Sequence, residues 1–225
     1  STKLENIMDK INNIIWQRII REEKWLFISS FFTSIIIASV LNKMPLVSIY
    51  LYLLHARFGT EHLSELNNTE FKLTDEYLLF LPVRRKELIK GYFIYISITM
   101  LYTAGLLSLY FKLFESIFDS DSFYSHYFDH SSIIFILSPA IALIVVGILQ
   151  IIAVSGLKTL IVRIISMAIY TVTFIIALLI SSSERKYANL TDEQIVITVL
   201  TSLAIYYIIY KIALLVSKKT MKYPK

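Results

Sequence analysis

The apolar residues of this chain come in blocks long enough to cross a bilayer, set apart by polar stretches that carry most of the charge. The first block runs from about Trp25 to Leu41. After a tight turn at Asn42-Lys43-Met44-Pro45, the second runs from Met44 to about Leu54, extending toward Phe58. It is short for a crossing of roughly twenty residues, and His55 and Arg57 are expected to snorkel from its end. The third covers Tyr92 to about Phe111, the fourth Ile133 to about Val154 with Pro139 and Gly147 inside it, and the fifth Leu160 to Ile180. Thr191 and Gln194 make a capping-box pattern that opens the sixth, which ends near Val216. Ahead of all of them, Leu4 to Ile20 is amphipathic. Leu4, Ile7, Met8, Ile11, Ile14, Ile15 and Ile19 share one helical face, and Glu5, Asp9, Asn12, Asn13 and Gln17 take the other. With Trp16 and Trp25 near its end, this helix lies at the membrane interface or docks on its own protein; both readings stay open.

Composition agrees with the blocks. The 225 residues are 56% hydrophobic, and mean hydropathy is +0.64, too apolar for an ordinary soluble domain. Cysteine is absent, which excludes disulfides, thiol chemistry and cysteine metal sites. The amphipathic start predicts no cleaved leader. A formal charge of +5 could suggest nucleic acid in a soluble protein, but its placement across the membrane accounts for it. With both termini in the cytoplasm, 18 of the 22 Lys and Arg residues lie inside, and only Lys43, Lys112, Arg185 and Lys186 fall outside. Lys and Arg bias sets topology, so the expected fold is an all-α integral membrane protein with six transmembrane helices and both ends inside.

The loop between the second and third spans, residues 59–91, carries helix signals of its own. Thr74 can cap a short helix, with Asp75 and Glu76 in its first turn, where negative charge suits the helix dipole. Tyr77, Leu78, Leu79 and Leu81 form an apolar stripe, and Pro82 stops or kinks it. From Val83 to Lys90 a helix restarts with Arg84, Arg85 and Lys86 and runs into the third span. Read from the residues, this is a lever joined to a membrane helix, or a basic anchor on anionic lipid in which each Lys or Arg contributes about 1 kcal/mol.

The run Leu78 to Ile89, Leu-Leu-Phe-Leu-Pro-Val-Arg-Arg-Lys-Glu-Leu-Ile, resembles the "LP-x-x-R-x-x-hydrophobic" signature of type-2 permeases of ATP-binding-cassette (ABC) transporters. Among these it is similar to small bacterial permeases of exporters of amphipathic peptides, such as the phenol-soluble modulin exporter. The motif covers about a tenth of the chain, and the six-span layout fits from end to end. The resemblance implies an N-terminal elbow helix over residues 1–23, a permease domain over 24–217 in the bacterial plasma membrane, and a basic tail over 218–225. It implies a second permease chain, identical or related, and two ABC ATP-binding subunits that carry the ATP and Mg, with no cofactor on this chain. By the same analogy Thr74 to Leu81 is the coupling helix: Asp75, Glu76 and Tyr77 touch the ATPase, while Arg84, Arg85 and Lys86 hold the lipid surface or acidic ATPase residues. The short loop from Ser181 to Asp192 departs from larger relatives with re-entrant helices there, which shifts the outer gate toward the loop over 112–131.

Other chemistry is thin. Ionisable side chains are not expected near the middle of any span, which argues against proton or sodium coupling; Lys211 snorkels from the end of the sixth, and Gln150 is the deepest large polar group. Ser155-Gly156-Leu157-Lys158-Thr159 lacks the upstream glycine of a phosphate loop. His126 and His130, beside Asp119, Asp121 and Asp129, have metal-ligand spacing, but a solvated acidic loop is the plainer reading and no metal is expected. Glu22-Glu23 lacks the companion residues of an intramembrane protease, so no catalytic residues are expected. Hydroxyls recur in the spans: Ser30, Thr33 and Ser34, then Thr99 and Thr103, then Thr198, Thr201 and Ser202. They permit close helix packing and, with Gln150, are candidates for a translocation path. The composite expectation is the permease of an ATP-driven exporter of amphipathic or hydrophobic peptide. The rival is a non-transporting scaffold, sensor or immunity protein that holds a cytoplasmic partner.

Overall fold

A computed structural model describes residues 28, 31–36, 44–67, 85–117, 131–182 and 190–220. Among them there is no strand. Five long helices form the bundle: α1 (Ser48–Asn67), α2 (Arg85–Ile117), α3 (Ser138–Val154), α4 (Thr159–Ser182) and α5 (Asp192–Thr220). Residues 31–36 are also helical. The N-terminal helix expected over Leu4–Ile20 and the coupling helix expected over Thr74–Leu81 lie outside the described residues.

Local chemistry starts and stops these helices where the sequence asks. Pro45 opens a 3-10 turn, Pro45–Val47, where a missing N–H costs nothing, and the Ser48 hydroxyl donates to the Pro45 carbonyl at 2.7 Å. Pro139 would clash with the carbonyl four residues back. A π turn over Ile133–Leu137, closed by the Ser138 N–H donating to the Ile133 carbonyl, loosens the helix just ahead of it. The α3 helix ends at Gly156, whose φ of +84° suits glycine alone without strain. The capping box at the start of α5 forms: the Thr191 N–H donates to Gln194 Oε1 at 3.0 Å, and the Gln194 N–H to Thr191 Oγ1 at 3.4 Å.

Among the described residues, four stretches are long and apolar enough to cross a membrane: Lys86–Leu113, Ile133–Val154, Thr159–Ile180 and Asp192–Thr220. These match the third to sixth blocks. Large apolar residues on α4 and α5, among them Leu160, Ile164, Leu179, Ile197, Leu200 and Leu215, face outward, as a lipid-contacting surface requires. The α1 helix differs. It is not one of the four, because His55, Arg57, Glu61 and His62 interrupt it, and it runs unbroken through residues 59–67, well past the expected end of the second span. It is also the most enclosed helix, packed by α2, α3 and α4. A helix shielded by its neighbours can carry polar groups that lipid would not accept.

Helix directions alternate. Ser48 meets Ser138 at 2.5 Å, the Leu190 N–H reaches Ser132 at 3.0 Å, and Thr220 bonds the Val154 carbonyl, so α1, α3 and α5 run one way. His55 meets Thr103, Gly59 meets Tyr95, Tyr50 meets Phe174 and Glu61 meets Arg163, so α2 and α4 run the other way. Each connection therefore carries the chain back through the bundle. The Tyr110 hydroxyl donates to the Phe31 carbonyl at 2.8 Å and ties the helical stretch 31–36 to α2.

Candidate functional site

Polar chemistry gathers on α1. Halfway along it, His55 is fully buried, with Nδ1 2.7 Å from the Thr103 hydroxyl. Thr103 in turn donates to the Thr99 carbonyl one turn back at 2.8 Å, and Thr99 bonds the Ile96 carbonyl at 2.8 Å. Thr103 lies near the middle of the apolar stretch Lys86–Leu113, so the imidazole sits at mid-depth in the bundle. Two expectations are corrected here. His55 does not snorkel, because α2 covers it, and an ionisable side chain does stand near mid-depth, which removes the argument drawn from its absence. Sequence reasoning missed it because the block looked short and His55 looked terminal; α1 continues for twelve residues beyond it.

Toward the C-terminal end of α1, the Glu61 carboxylate takes the Arg57 Nε–H at 2.6 Å and lies 3.7 Å from Arg163 Nε on α4. The Glu61 side chain is 12% exposed, while Arg57 is 28% and Arg163 47% exposed. The carboxylate is thus enclosed between two cations, one tight and one loose. Tyr170, two turns on from Arg163 along α4, is buried. None of these residues was a candidate from the sequence. The spacing Arg57, Glu61 (i, i+4) was a readable signal, but its partner Arg163 is a hundred residues away.

The candidates read from the sequence are dispersed. Thr99 and Thr103 share a buried face of α2, and their hydroxyls are engaged by their own helix. Gln150 is fully buried on α3, with neither amide atom hydrogen-bonded among the described residues. Ser34 is buried and Thr33 half-buried; Ser202 is buried and bonds the Val199 carbonyl, Thr198 is half-buried, and Thr201 is exposed. Lys211 is exposed, with Nζ 5.0 Å over the Tyr207 ring. Arg85 opens α2 and Lys86 is exposed. Ser30, Thr74, Asp75, Glu76, Tyr77, Leu78, Leu81, Pro82, Arg84, His126 and His130 lie outside the described residues. Among the described residues no group of His, Asp and Glu is gathered to hold a metal.

The helices alternate in direction around α1, and the role of such a bundle is decided by the sequence comparison. The family described as ABC-2 family transporter protein matches residues 11–222. The chain belongs to that family. Comparison with curated proteins returned no match, and neither did comparison with solved structures. As an ABC-2 permease, this multi-pass membrane protein is the transport subunit of an ABC transporter, a kind of subunit that works with an ATP-binding partner.

Proposed function

We propose that this ABC-2 permease has six spans with both ends in the cytoplasm and serves an ATP-driven exporter in the bacterial plasma membrane. It pairs with a second permease chain and is driven by two ATP-binding subunits. Its cargo is amphipathic or hydrophobic peptide, a reading that rests on the resemblance of Leu78 to Ile89 to peptide-exporter permeases and on spans that are largely uncharged.

The single observation that carries the coupling part is the position of α1. It is the helix on which α2, α3 and α4 pack, and it leads directly into residues 68–84, beyond which α2 begins. A subunit gripping Thr74 to Leu81 would hold a short segment bound at both ends to two helices that pack on each other. Displacing that segment moves those helices, because packed interiors shift as units instead of deforming gradually. Asp75, Glu76 and Tyr77 are assigned to the ATPase contact, and Arg84, Arg85 and Lys86 to the lipid surface or to acidic ATPase residues.

The test is co-expression with the candidate ATP-binding subunit. Tyr77→Ala combined with Leu78→Ala is expected to abolish co-purification while membrane insertion persists. Normal co-purification of the double variant would overturn the coupling assignment. Recovery of a partner lacking a phosphate-binding loop would favour the scaffold or sensor reading instead.

A further inference from the structure

The geometry points to His55 as a specificity-determining residue whose Nε2 accepts a hydrogen bond from an N–H or O–H group of the cargo as it passes mid-membrane. This rests on the transport reading above and adds to it the chemical class of group recognised.

One proton decides the state of the imidazole. The Thr103 hydroxyl has a single hydrogen, and it sits 2.8 Å from the Thr99 carbonyl and 2.7 Å from His55 Nδ1. Donation to the carbonyl leaves an oxygen lone pair for an Nδ1–H, and both contacts are then satisfied. The opposite arrangement would put the hydrogen on Nε2, leaving a buried N–H without an acceptor, the rarer and costlier defect. His55 is therefore the Nδ1–H tautomer, and Nε2 carries a bare lone pair. That nitrogen has no partner among the described residues, although His55 is fully buried.

The surroundings fit a recognition point. Thr99 and Thr103, which the sequence suggested as path-lining groups, spend their hydroxyls on the α2 backbone and on fixing the imidazole. Tyr102 stands edge-on to the ring with centroids 5.7 Å apart and is itself 40% exposed, so the imidazole touches a side chain that reaches the bundle surface. A polar group at this depth is costly in lipid, and such groups mark the path of a polar cargo group or its ligand. The amide N–H groups, ammonium groups and hydroxyls of an amphipathic peptide are donors of the required kind.

Two substitutions separate recognition from packing. Asn at position 55 can place its amide where Nδ1 lies and keep the Thr103 contact, but it cannot reach the Nε2 position. Gln reaches that position with an acceptor oxygen and gives up the Thr103 contact. With a fluorescently labelled amphipathic Leu/Lys peptide in proteoliposomes of the full complex, His55→Asn is expected to raise KM about tenfold, the worth of one hydrogen bond. His55→Gln is expected to stay within about threefold of the parent, even though its thermal stability is the lower of the two. If transport and stability fall in the same order, with Gln the worse in both, His55 only packs and the proposal fails.

A second readout needs no cargo. Diethyl pyrocarbonate acylates an unprotonated imidazole nitrogen. During ATP turnover by the complex, modification of His55, located by peptide mass analysis, is expected to rise at least about tenfold over the nucleotide-free state, because turnover shifts population toward an open form. If His55 stays unmodified during turnover while His126 and His130 react, the inference is overturned and the transport reading survives. Hydrolysis without transport of any amphipathic peptide would strike that reading and leave the His55 result standing.

Discussion

Gly59 on α1 and Tyr95 on α2 approach so closely that a β-carbon added to Gly59 would lie 2.9 Å from Cδ1 of the Tyr95 ring and 3.4 Å from Ile96 Cγ1. Both Tyr95 and Ile96 are buried, so neither has open space to move into. The absence of a side chain at residue 59 thus sets the spacing of the two helices nearest the coupling segment, as small residues do between membrane helices. Gly59→Ala is expected to destabilise the bundle by about 1–3 kcal/mol through overpacking. Thermal unfolding in detergent checks it, and Tyr95→Leu in the Gly59→Ala background should recover part of the loss.

The cluster Arg57, Glu61 and Arg163 predicts an asymmetry. Removing Arg163, half-exposed and 3.7 Å away, should cost less than about 1 kcal/mol, because solvent screens such a pair. Removing the Glu61 carboxylate strands the Arg57 guanidinium 2.6 Å from where its partner was, in a mostly enclosed position. Glu61→Ala should therefore cost about 2–3 kcal/mol, several times the cost of Arg163→Ala, in the same unfolding assay. Equal losses from the two variants would show that α4, and not Arg57, is the main partner of the carboxylate.

Gln150 predicts a gain in stability. Neither of its amide atoms has a partner among the described residues although the side chain is fully buried, a defect of about 1–3 kcal/mol. Gln150→Leu keeps the volume and should raise the unfolding temperature. A variant that is more stable yet transports less would place Gln150 on the path, since function is what preserves such a defect. Unchanged transport would make it a packing residue.

The capping box predicts a local effect. Thr191→Ala removes the hydroxyl that accepts the Gln194 N–H and should cost about 1 kcal/mol. This end of α5 is exposed, so global melting should barely move. Amide exchange over residues 192–195 should instead speed up about fivefold, the factor that about 1 kcal/mol of local opening implies.

The two ends of the chain's logic were not equally legible. Lipid imposes its demand on one segment at a time, so the blocks that became α2 to α5 could be read without knowing their neighbours. Caps and breaks are equally local. Thr191 with Gln194 and Pro139 each act within a turn or two of themselves, and the Thr191 cap stands where the sequence placed it.

The α1 helix could not be read that way. Its apolar run ends at Leu54, and by composition His55, Arg57 and Glu61 signal a departure from the membrane. Only the enclosure of α1 by α2, α3 and α4 makes that continuation permissible, and enclosure is a property of the other helices. The same holds for the chemistry: the tautomer of His55 is set by Thr103, and the environment of Glu61 by Arg163, both far away along the chain. The sequence by itself determined which segments lipid would accept and where they begin. Packing alone decided which helix is central and which polar groups meet, because a polar residue's fate in a membrane depends on the partner brought to it.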